Sequence, residues 1–452
     1  MTTSTVHKHS LSESYAIAAR AVARVLGGES LTPALAQSLP AYPTAALRGA
    51  AIDLTYSTVR AFGVPQLLVK RLLLKPITDP VLLALLYVTL IDLRKNSQRA
   101  YVLVDQAVNA AECLGRTPAK GLVNAVLRNY SRRAAPLESE IERDASARDG
   151  HPGWWVERVR RAHPERAQQI LDAGNMTPPM TLRVNPRRAQ IAAYVARLNA
   201  AGVVHTPIGR SGVRLERPTP VEQVPGFSAG EVSVQDAGAQ LAAQLLGARD
   251  GERVLDACAA PGGKAGHVLE LADVQLTALD LDGARCERIH ANLARLGLRA
   301  RVLAVDAAQT DLWWDQQPFD RILLDVPCSA SGVVRRHPDA KWLRRGSDVP
   351  SFARAQRGLL DAMWPLLRPG GQLLYATCSV FHEENGAQVD AMLARHPDAR
   401  RLALPASELA PQDDGQLIPT SAYDGFYYAI ITKRSADVGA PPHPPRQVVA
   451  HQ

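Results

Sequence analysis

The chain has 452 residues, so at about 100 to 200 residues per domain it should form two to four units. Hydrophobic residues make up 46% and charged residues 21%, which is the balance of a globular protein and excludes wholesale disorder and fibrous classes. Lys and Arg (52) exceed Asp and Glu (44), for a net charge of +8. This mild excess would favour a polyanionic partner, but a GC-rich genome explains it equally well.

The spacing of the cysteines and the length of the apolar runs indicate in which cellular compartment the protein is expected. The five cysteines show no paired spacing and no matching His pattern, so the sequence suggests neither a disulfide framework nor a metal site. The N-terminus lacks the apolar stretch of a secretory signal, and the longest apolar run, residues 81–93, is shorter than the roughly 18 residues that span a bilayer. We expect a cytoplasmic protein that binds no metal and has no membrane segment. We also expect it to be a monomer.

The first third of the chain predicts helix after helix. Apolar residues recur at intervals of three and four over residues 45–62, 81–93, 102–114 and 120–133, with Pro or Gly between the segments. This pattern predicts an all-helical domain over residues 1–140.

A small mixed subdomain is expected over residues 141–240. The polar stretch 131–152 is interpreted as a linker or a frayed helix, and helical spacing returns at 154–173. Residues 180–186 then resemble a strand that Pro186 ends, and short strand-like runs continue to about residue 234.

Strands and helices alternate over residues 241–436. The predicted strands are 253–255, 276–279, 300–305, 321–324 and 372–376, and the predicted helices are 265–271, 283–296, 352–367 and 384–395. This alternation predicts an α/β domain with a parallel, doubly wound, Rossmann-like sheet. Residues 437–452, rich in Pro and His, are expected to be a disordered tail.

Acidic residues end the first four predicted strands of this sheet: Asp256, Asp280, Asp306 and Asp325. Ligands of open parallel sheets bind beyond the carboxyl ends of the strands. A single such Asp is usually a turn former or a helix cap, but four in register point to a binding site.

A loop of small residues follows the first strand, from Asp256 to Lys264. Its glycines let a ligand approach the backbone at a helix N-terminus. The loop fits neither a dinucleotide G-x-G-x-x-G nor a Walker pattern, which needs Gly where Cys258 stands and Ser or Thr where Ala265 stands. Asp280 could accept both hydrogen bonds of a ribose diol, so the sequence favours a nucleoside ligand over a nucleoside triphosphate.

Three motifs together resemble the RNA cytosine-5 methyltransferases: the loop 256–264, the segment 324–339 and the run 375–379. Val326 and Ser331 stand where that family often has Ala and Thr. The resemblance implies an S-adenosylmethionine-dependent methyltransferase domain, with the loop around the methionine end, Asp280 on the ribose, Asp306 near the adenine and Asp325 near the reacting centre. The cofactor-binding residues so implied are Cys258, Ala259, Ala260, Pro261, Gly262, Gly263, Lys264, Asp280, Asp306 and Asp325.

The helical first third, with its run at residues 120–128, resembles the NusB-type RNA-binding domain. That domain precedes the methyltransferase domain in the RsmB (Sun/Fmu) group, which methylates a cytosine of small-subunit ribosomal RNA. The resemblance thus implies 16S ribosomal RNA as the partner, with cytosine 967 as the expected target.

Cytosine C5 is a poor nucleophile, and attack of a thiolate on C6 is one way to activate it. Cys328 and Cys378 both follow predicted strands, although a lone buried thiol is more often inert. DNA enzymes attack with a Pro-Cys cysteine and the RNA family with a Thr-Cys cysteine. The resemblance therefore nominates Cys378 as the nucleophile and Cys328 as an aid to adduct breakdown. Asp325 is a third candidate catalytic residue. It could accept a hydrogen bond from N4 of the cytosine or, if protonated, bind the base through N3.

Three basic patches are candidate RNA contacts. The first follows Cys328 and includes Arg335, Arg336 and Lys341, the second is around Arg183, and the third is around Arg128. An ordinary solvated face is the alternative for each.

Two other functions remain open from the sequence. One is methylation of a different nucleic acid, such as transfer RNA or DNA, which the fold alone does not exclude. The other is a catalytically silent NusB-like RNA adaptor, which the presence of both cysteines and all strand-end acids disfavours.

Overall fold

The computed structural model of the protein describes residues 10–409, 411 and 414–434. The tail expected over residues 437–452 lies outside them. No helix in these ranges combines the length and the apolar character that crossing a membrane requires.

The front of the described chain is an assembly of helices, as predicted. They are α1 (Leu11–Leu26), α2 (Leu31–Ser38), α3 (Ala45–Arg60), α4 (Gly63–Leu72), α5 (Pro80–Lys95), α6 (Ala100–Cys113), α7 (Lys120–Arg132), α8 (Ala134–Arg143) and α9 (Ala145–Asp149). Helix α5 begins with Pro80, and the Asp79 carboxylate caps it by accepting from the Val81 and Leu82 amides. Leu85, Leu86 and Val88 of α5 are fully buried in the shared core.

The interpretation of residues 131–152 as a linker or frayed helix is wrong. This stretch is the end of α7 followed by α8 and α9. Leu137, Ile141 and Ala147 bury their side chains in the same core as the preceding helices. On α8 the contact with the core is made by a narrow apolar stripe of residues four positions apart. Charged residues surround this stripe, so the helical pattern was hard to recognise in the sequence.

A four-stranded antiparallel sheet forms the middle of the chain. Two helices precede it, α10 (Gly153–Ala162) and α11 (Ala167–Asn175), and its elements are β1 (Met180–Val184), α12 (Ile191–Ala200), β2 (His205–Ile208), β3 (Gly212–Leu215) and β4 (Val232–Val234). The strand order is β2-β3-β1-β4, which confirms the predicted mixed α and β character.

The remaining elements build the large sheet. They are α13 (Ala237–Leu246), β5 (Arg253–Asp256), α14 (Gly263–Leu271), β6 (Gln275–Asp280), α15 (Gly283–Leu296), β7 (Arg301–Ala304), β8 (Phe319–Asp325), α16 (Ala340–Leu343), α17 (Asp348–Met363), β9 (Leu367–Thr377), α18 (Gly386–Arg395), β10 (Ala399–Leu402), β11 (Gln416–Leu417) and β12 (Phe426–Lys433). All five strands predicted here form, and the predicted helix 283–296 has those same bounds.

Strand order in the large sheet is β10-β12-β9-β8-β5-β6-β7, with β11 paired to β12. The strands from β9 to β7 are parallel, as predicted. Strands β10 to β12 add an antiparallel edge that the sequence interpretation did not include. The chain leaves β5 towards β6 on one side and returns to β8 on the other, so a crevice forms at the carboxyl ends of β5 and β8.

Candidate active site

A crevice of about 360 Å³ lies beyond the carboxyl ends of the parallel strands. Asp280, Asp306 and Asp325 all line it, so the structure brings together three of the four predicted strand-end acids. The fourth, Asp256, lies outside the lining and is only 1% exposed. Burial, with the charge of Asp325 adding to it, raises the pKa of Asp256 to about 7.

The loop after β5 is held against β6 by its backbone. The amide of Ala259 donates to the Leu279 carbonyl (2.8 Å), and the amide of Ala260 donates to Oδ2 of Asp280 (3.2 Å). Gly262 has φ +92°, and a side chain there would meet Ile289 at 3.2 Å, so the tight turn into α14 requires glycine. Of the seven predicted loop residues, Cys258 and Ala260 line the crevice, while Ala259, Pro261, Gly262, Gly263 and Lys264 lie outside its lining.

The lining fits a cationic nucleoside such as S-adenosylmethionine. Carboxylates can accept from ribose hydroxyls and favour a sulfonium over a phosphate, while Leu281, Val305 and Leu359 offer apolar surface to a purine. Arg285, which the sequence interpretation missed, also lines the crevice, with Nη1 3.3 Å from Oδ1 of Asp280.

Asp325 is paired with Lys264 at the base of the crevice. The Lys264 ammonium donates to Oδ2 of Asp325 and lies 5.7 Å from the centre of the Phe426 ring. Burial alone would lower the pKa of Lys264, but the Asp325 carboxylate, with a smaller contribution from Cys378, leaves it above its ordinary value. Lys264 therefore carries a positive charge near both a carboxylate and a cysteine of the site.

Cys328 and Cys378 meet at the crevice wall. Their sulfur atoms are 3.3 Å apart, and both residues line the crevice. The juxtaposition follows from the sheet, because β8 and β9 are parallel neighbours and each cysteine comes just after its strand. The hydrogen bond with Cys378, followed by burial and by the charges of Cys378 and Glu384, raises the pKa of the Cys328 thiol. Cys258 also stays a thiol, since burial and neighbouring carboxylates raise its pKa.

Sequence reasoning missed Glu384, which lies behind both cysteines. Its side chain is 0% exposed and hydrogen-bonds to Ser329 and Ser379, the residues that follow Cys328 and Cys378. One feature of the sequence could have pointed to Glu384: it is one of two adjacent acids shortly after Cys378, an expected active-site cysteine. Its contact with Ser329 depends on the fold and could not be predicted from local sequence.

The predicted phosphate contacts of Arg335 and Lys341 are wrong. Arg335 is 1% exposed and pairs with the buried Asp424. Lys341 is 0% exposed, and its ammonium donates to three oxygens of the chain: Arg60 O (3.0 Å), Gly150 O (2.9 Å) and Asn175 Oδ1 (2.7 Å). Both cations connect segments of the protein and are too buried to contact RNA.

Arg183 is also held within the protein, which corrects its assignment to RNA, whereas the partly exposed Arg336 stays a prediction for RNA binding. The buried Arg183 makes a two-pronged contact with Glu270, at 2.8 and 2.6 Å, and donates to the Gly263 carbonyl (2.9 Å). Arg336 is partly exposed, but its guanidinium is shared between Asp236 (2.9 Å) and Asp424. Arg183 thereby braces the start of α14 against the middle sheet.

Arg128 differs from the three buried cations Arg183, Arg335 and Lys341. It is exposed on α7, where its Nε donates to Oδ1 of Asn124 at 2.8 Å. Arg132 and Arg133, just beyond it, are exposed as well. This patch stays a prediction for RNA binding.

Three family models match consecutive parts of the chain. The NusB family matches residues 17–132, the ferredoxin-like domain of RsmF/B-like methyltransferases matches 151–222, and the 16S rRNA methyltransferase RsmB/F model matches 243–432. The helical front, the middle sheet and the domain with the crevice thus each match one of these models.

Whole-chain comparisons agree with these matches. Ribosomal RNA small subunit methyltransferase B of Vibrio cholerae is 48% identical over 74% of this chain and 77% of its own. The protein of the same name from Pseudomonas putida is 43% identical over 93% of this chain and 99% of its own. The crystal structure of PH0851 superposes with a TM-score of 0.78, at 24% identity, over 93% of this chain and 99% of that chain, and so shares the fold. The chain belongs to the ribosomal RNA small subunit methyltransferase B family, among the RsmB/F methyltransferases with a NusB-like domain.

Proposed function

We propose that this protein methylates C5 of a cytosine in 16S ribosomal RNA, with cytosine 967 as the expected position. S-adenosylmethionine is the proposed methyl donor, and the cytoplasm the proposed site of action. The observation that carries the proposal is the pair of cysteine sulfurs, 3.3 Å apart on the wall of a crevice suited to a cationic nucleoside.

The crevice residues would hold the donor, which when bound supplies an electrophilic methyl group. Asp280 would accept from the ribose hydroxyls, Asp306 would lie near the adenine, and the loop 258–264 would enclose the methionine end. This assignment rests on where the acids lie and on the absence of a phosphate-binding glycine pattern.

Cys378 would begin the reaction by forming a bond from its sulfur to C6 of the cytosine. Electron density then moves to C5, which takes the methyl group. A base then takes the C5 proton, the electrons of that bond restore the C5–C6 double bond, and the bond between C6 and the Cys378 sulfur breaks to give back the thiolate. Cys328, as a neighbouring thiol, would assist this last step.

Lys264 and Asp325 would assist these steps by acting on the attacking sulfur and on the base. The Lys264 cation lies close enough to interact with Cys378 and would stabilise negative charge on its sulfur. Asp325 would accept from N4 of cytosine, or bind N3 if protonated, and so reject uracil.

RNA recognition would involve the helical front. The expected boundary at residue 140 falls inside α8, and Ile141 and Ala147 share the core of the front, so we propose that the front runs to the end of α9, followed by a subdomain to residue 240 and a catalytic domain over 241–436. The exposed Arg128 is the remaining predicted phosphate contact in the helical front. The target base must be unpaired or flipped, because a stacked base does not expose the face that the thiolate attacks.

The test is to mix the purified protein with radiolabelled S-adenosylmethionine and either unmodified 16S ribosomal RNA or unmodified transfer RNA, and to map the labelled nucleotide. The proposal predicts 5-methylcytosine at one position of the ribosomal RNA. Label in transfer RNA alone would favour the other substrate, and binding of RNA without any transfer of label would favour a silent adaptor.

A further inference from the structure

Glu384 lies between the two loops that carry the cysteines. It belongs to the 3₁₀ turn His382–Glu384, which follows the Cys378 loop. Oε1 accepts from the Ser329 amide (2.8 Å) and from Nε2 of Gln356 (3.3 Å), and Oε2 accepts from the hydroxyls of Ser329 (2.6 Å) and Ser379 (2.5 Å). One buried carboxylate thus has four donors from three segments of the chain.

The two loops are also joined directly. The Gly332 amide donates to the Cys378 carbonyl (2.8 Å), and the Val380 amide donates to the Ser331 hydroxyl (2.9 Å). Ser331, which departs from the family's usual Thr, therefore has a structural role that a Thr hydroxyl would share. These contacts set the backbone positions, while Glu384 fixes the residue next to each sulfur.

The carboxylate also has an electrostatic effect. The backbone N–H of Ser329 and Nε2 of Gln356 can only donate, so the site suits an ionised, accepting carboxylate. Burial raises the pKa of Glu384, and the hydrogen bonds from Ser329, Ser379 and Gln356 oppose that rise. The contact with Cys378 and the negative charge of Glu384 both raise the pKa of Cys328. Cys378 instead has the Lys264 ammonium nearby.

We propose that Glu384 is a positioning residue that holds the two sulfurs in register and, once the pair has lost one of its two protons, keeps the other on Cys328, so that Cys378 is the sulfur free to attack. This inference rests on the proposed function for its catalytic meaning. Glu384 bonds to both the amide and the hydroxyl of Ser329, next to Cys328, but only to the hydroxyl of Ser379, next to Cys378. With the Lys264 ammonium near Cys378, both charges favour the proton on Cys328.

The experiment compares Glu384→Gln with Glu383→Gln. Glu383 is the matched control, because it is the adjacent carboxylate but points to Arg158 at the surface. The rates at which iodoacetamide alkylates Cys328 and Cys378 are measured from pH 6 to 10 by peptide mass spectrometry, without RNA or methyl donor. The values of kcat and of KM for RNA are measured alongside.

For Glu384→Gln, the pH–rate profile of Cys328 should move to lower pH by about one unit, so that alkylation at any pH below the midpoint is about tenfold faster. The kcat should fall at least about tenfold while KM for RNA changes less than about twofold. Glu383→Gln should match the wild type in every readout. An unmoved Cys328 midpoint, or an equal shift in Glu383→Gln, would overturn the proposal.

A second variant separates the effect of losing the Glu384 charge from the effect of disturbing the fold. Glu384→Asp keeps the charge but shortens its reach, so the Cys328 midpoint should stay within about 0.3 units of the wild type while kcat falls in part. If Glu384→Gln does not fold, a lowered Cys328 midpoint in Glu384→Asp would contradict the proposal. Because alkylation needs no substrate, a wrong RNA assignment would leave these shifts intact, so a wild-type protein that does not methylate 16S ribosomal RNA would defeat the proposed function alone.

Discussion

The sulfur atoms of Cys328 and Cys378 are 3.3 Å apart although the residues are 50 positions apart in the chain. Two parallel neighbouring strands produce this approach, since each cysteine follows the end of its own strand. This contact, together with burial, raises the pKa of the Cys328 thiol. The proposed roles of an attacking and an assisting sulfur rest on this arrangement.

Asp325→Asn should lower turnover about 100-fold while RNA affinity changes less than about twofold. The substitution removes the carboxylate that pairs with Lys264 and that is proposed to bind the base. Single-turnover methylation and filter binding measure the two quantities. Asp315→Asn is the control, because Asp315 pairs with Arg253 away from the crevice. Equal losses of turnover and affinity would argue against a role for Asp325 at the reacting base.

Arg183→Ala should destabilise the fold by about 3 to 5 kcal/mol, because it leaves the buried Glu270 carboxylate without its partner. Urea unfolding followed by circular dichroism measures the change. Arg161→Ala breaks an exposed pair with Glu157 on α10 and should cost no more than about 0.5 kcal/mol. If Arg183→Ala were as stable as Arg161→Ala but bound RNA weakly, Arg183 would be an RNA contact after all.

Arg128→Ala should weaken RNA binding and lower the slope of log affinity against log salt concentration by up to about one. Arg128 is exposed on the helical front, so a lost phosphate contact is the expected cause. Titrations at several salt concentrations, with Arg161→Ala as the control, measure the slope. An unchanged slope would remove this patch from the RNA interface.

Asp256 should make the protein less stable as the pH rises from about 4 to about 7. Its folded pKa is about 7, raised by burial and then by Asp325, whereas an unfolded Asp ionises near 3.8, so the folded state binds the extra proton in between. Asp256→Asn should therefore gain stability relative to the wild type between pH 5 and pH 8, by roughly 2 to 3 kcal/mol.

Urea midpoints at the two pH values measure this gain. Asp311→Asn, at an exposed acid, should show no such difference between them. A gain that is the same at pH 5 and pH 8 would mean that Asp256 is already ionised throughout this range.

Local patterns were enough to predict the alternating strands and helices and the acids at the strand ends, because strand period, helix period and turn residues are encoded within a few positions. The pairing of Arg335 with Asp424 could not be predicted, since 89 residues separate them and two adjacent arginines look like a surface patch. The same holds for Ser329 and Glu384, which only the parallel pairing of β8 with β9 brings together.

The most direct test of the central claim is covalent trapping. Cys328→Ala, Cys378→Ala and the double variant are each incubated with S-adenosylmethionine and unmodified 16S ribosomal RNA, and protein–RNA adducts are resolved on denaturing gels. We predict that Cys328→Ala accumulates an adduct, and that Cys378→Ala and the double variant form none and do not methylate. An adduct in Cys378→Ala but not in Cys328→Ala would reverse the two roles. Undiminished methylation by the double variant would contradict the cysteine mechanism itself.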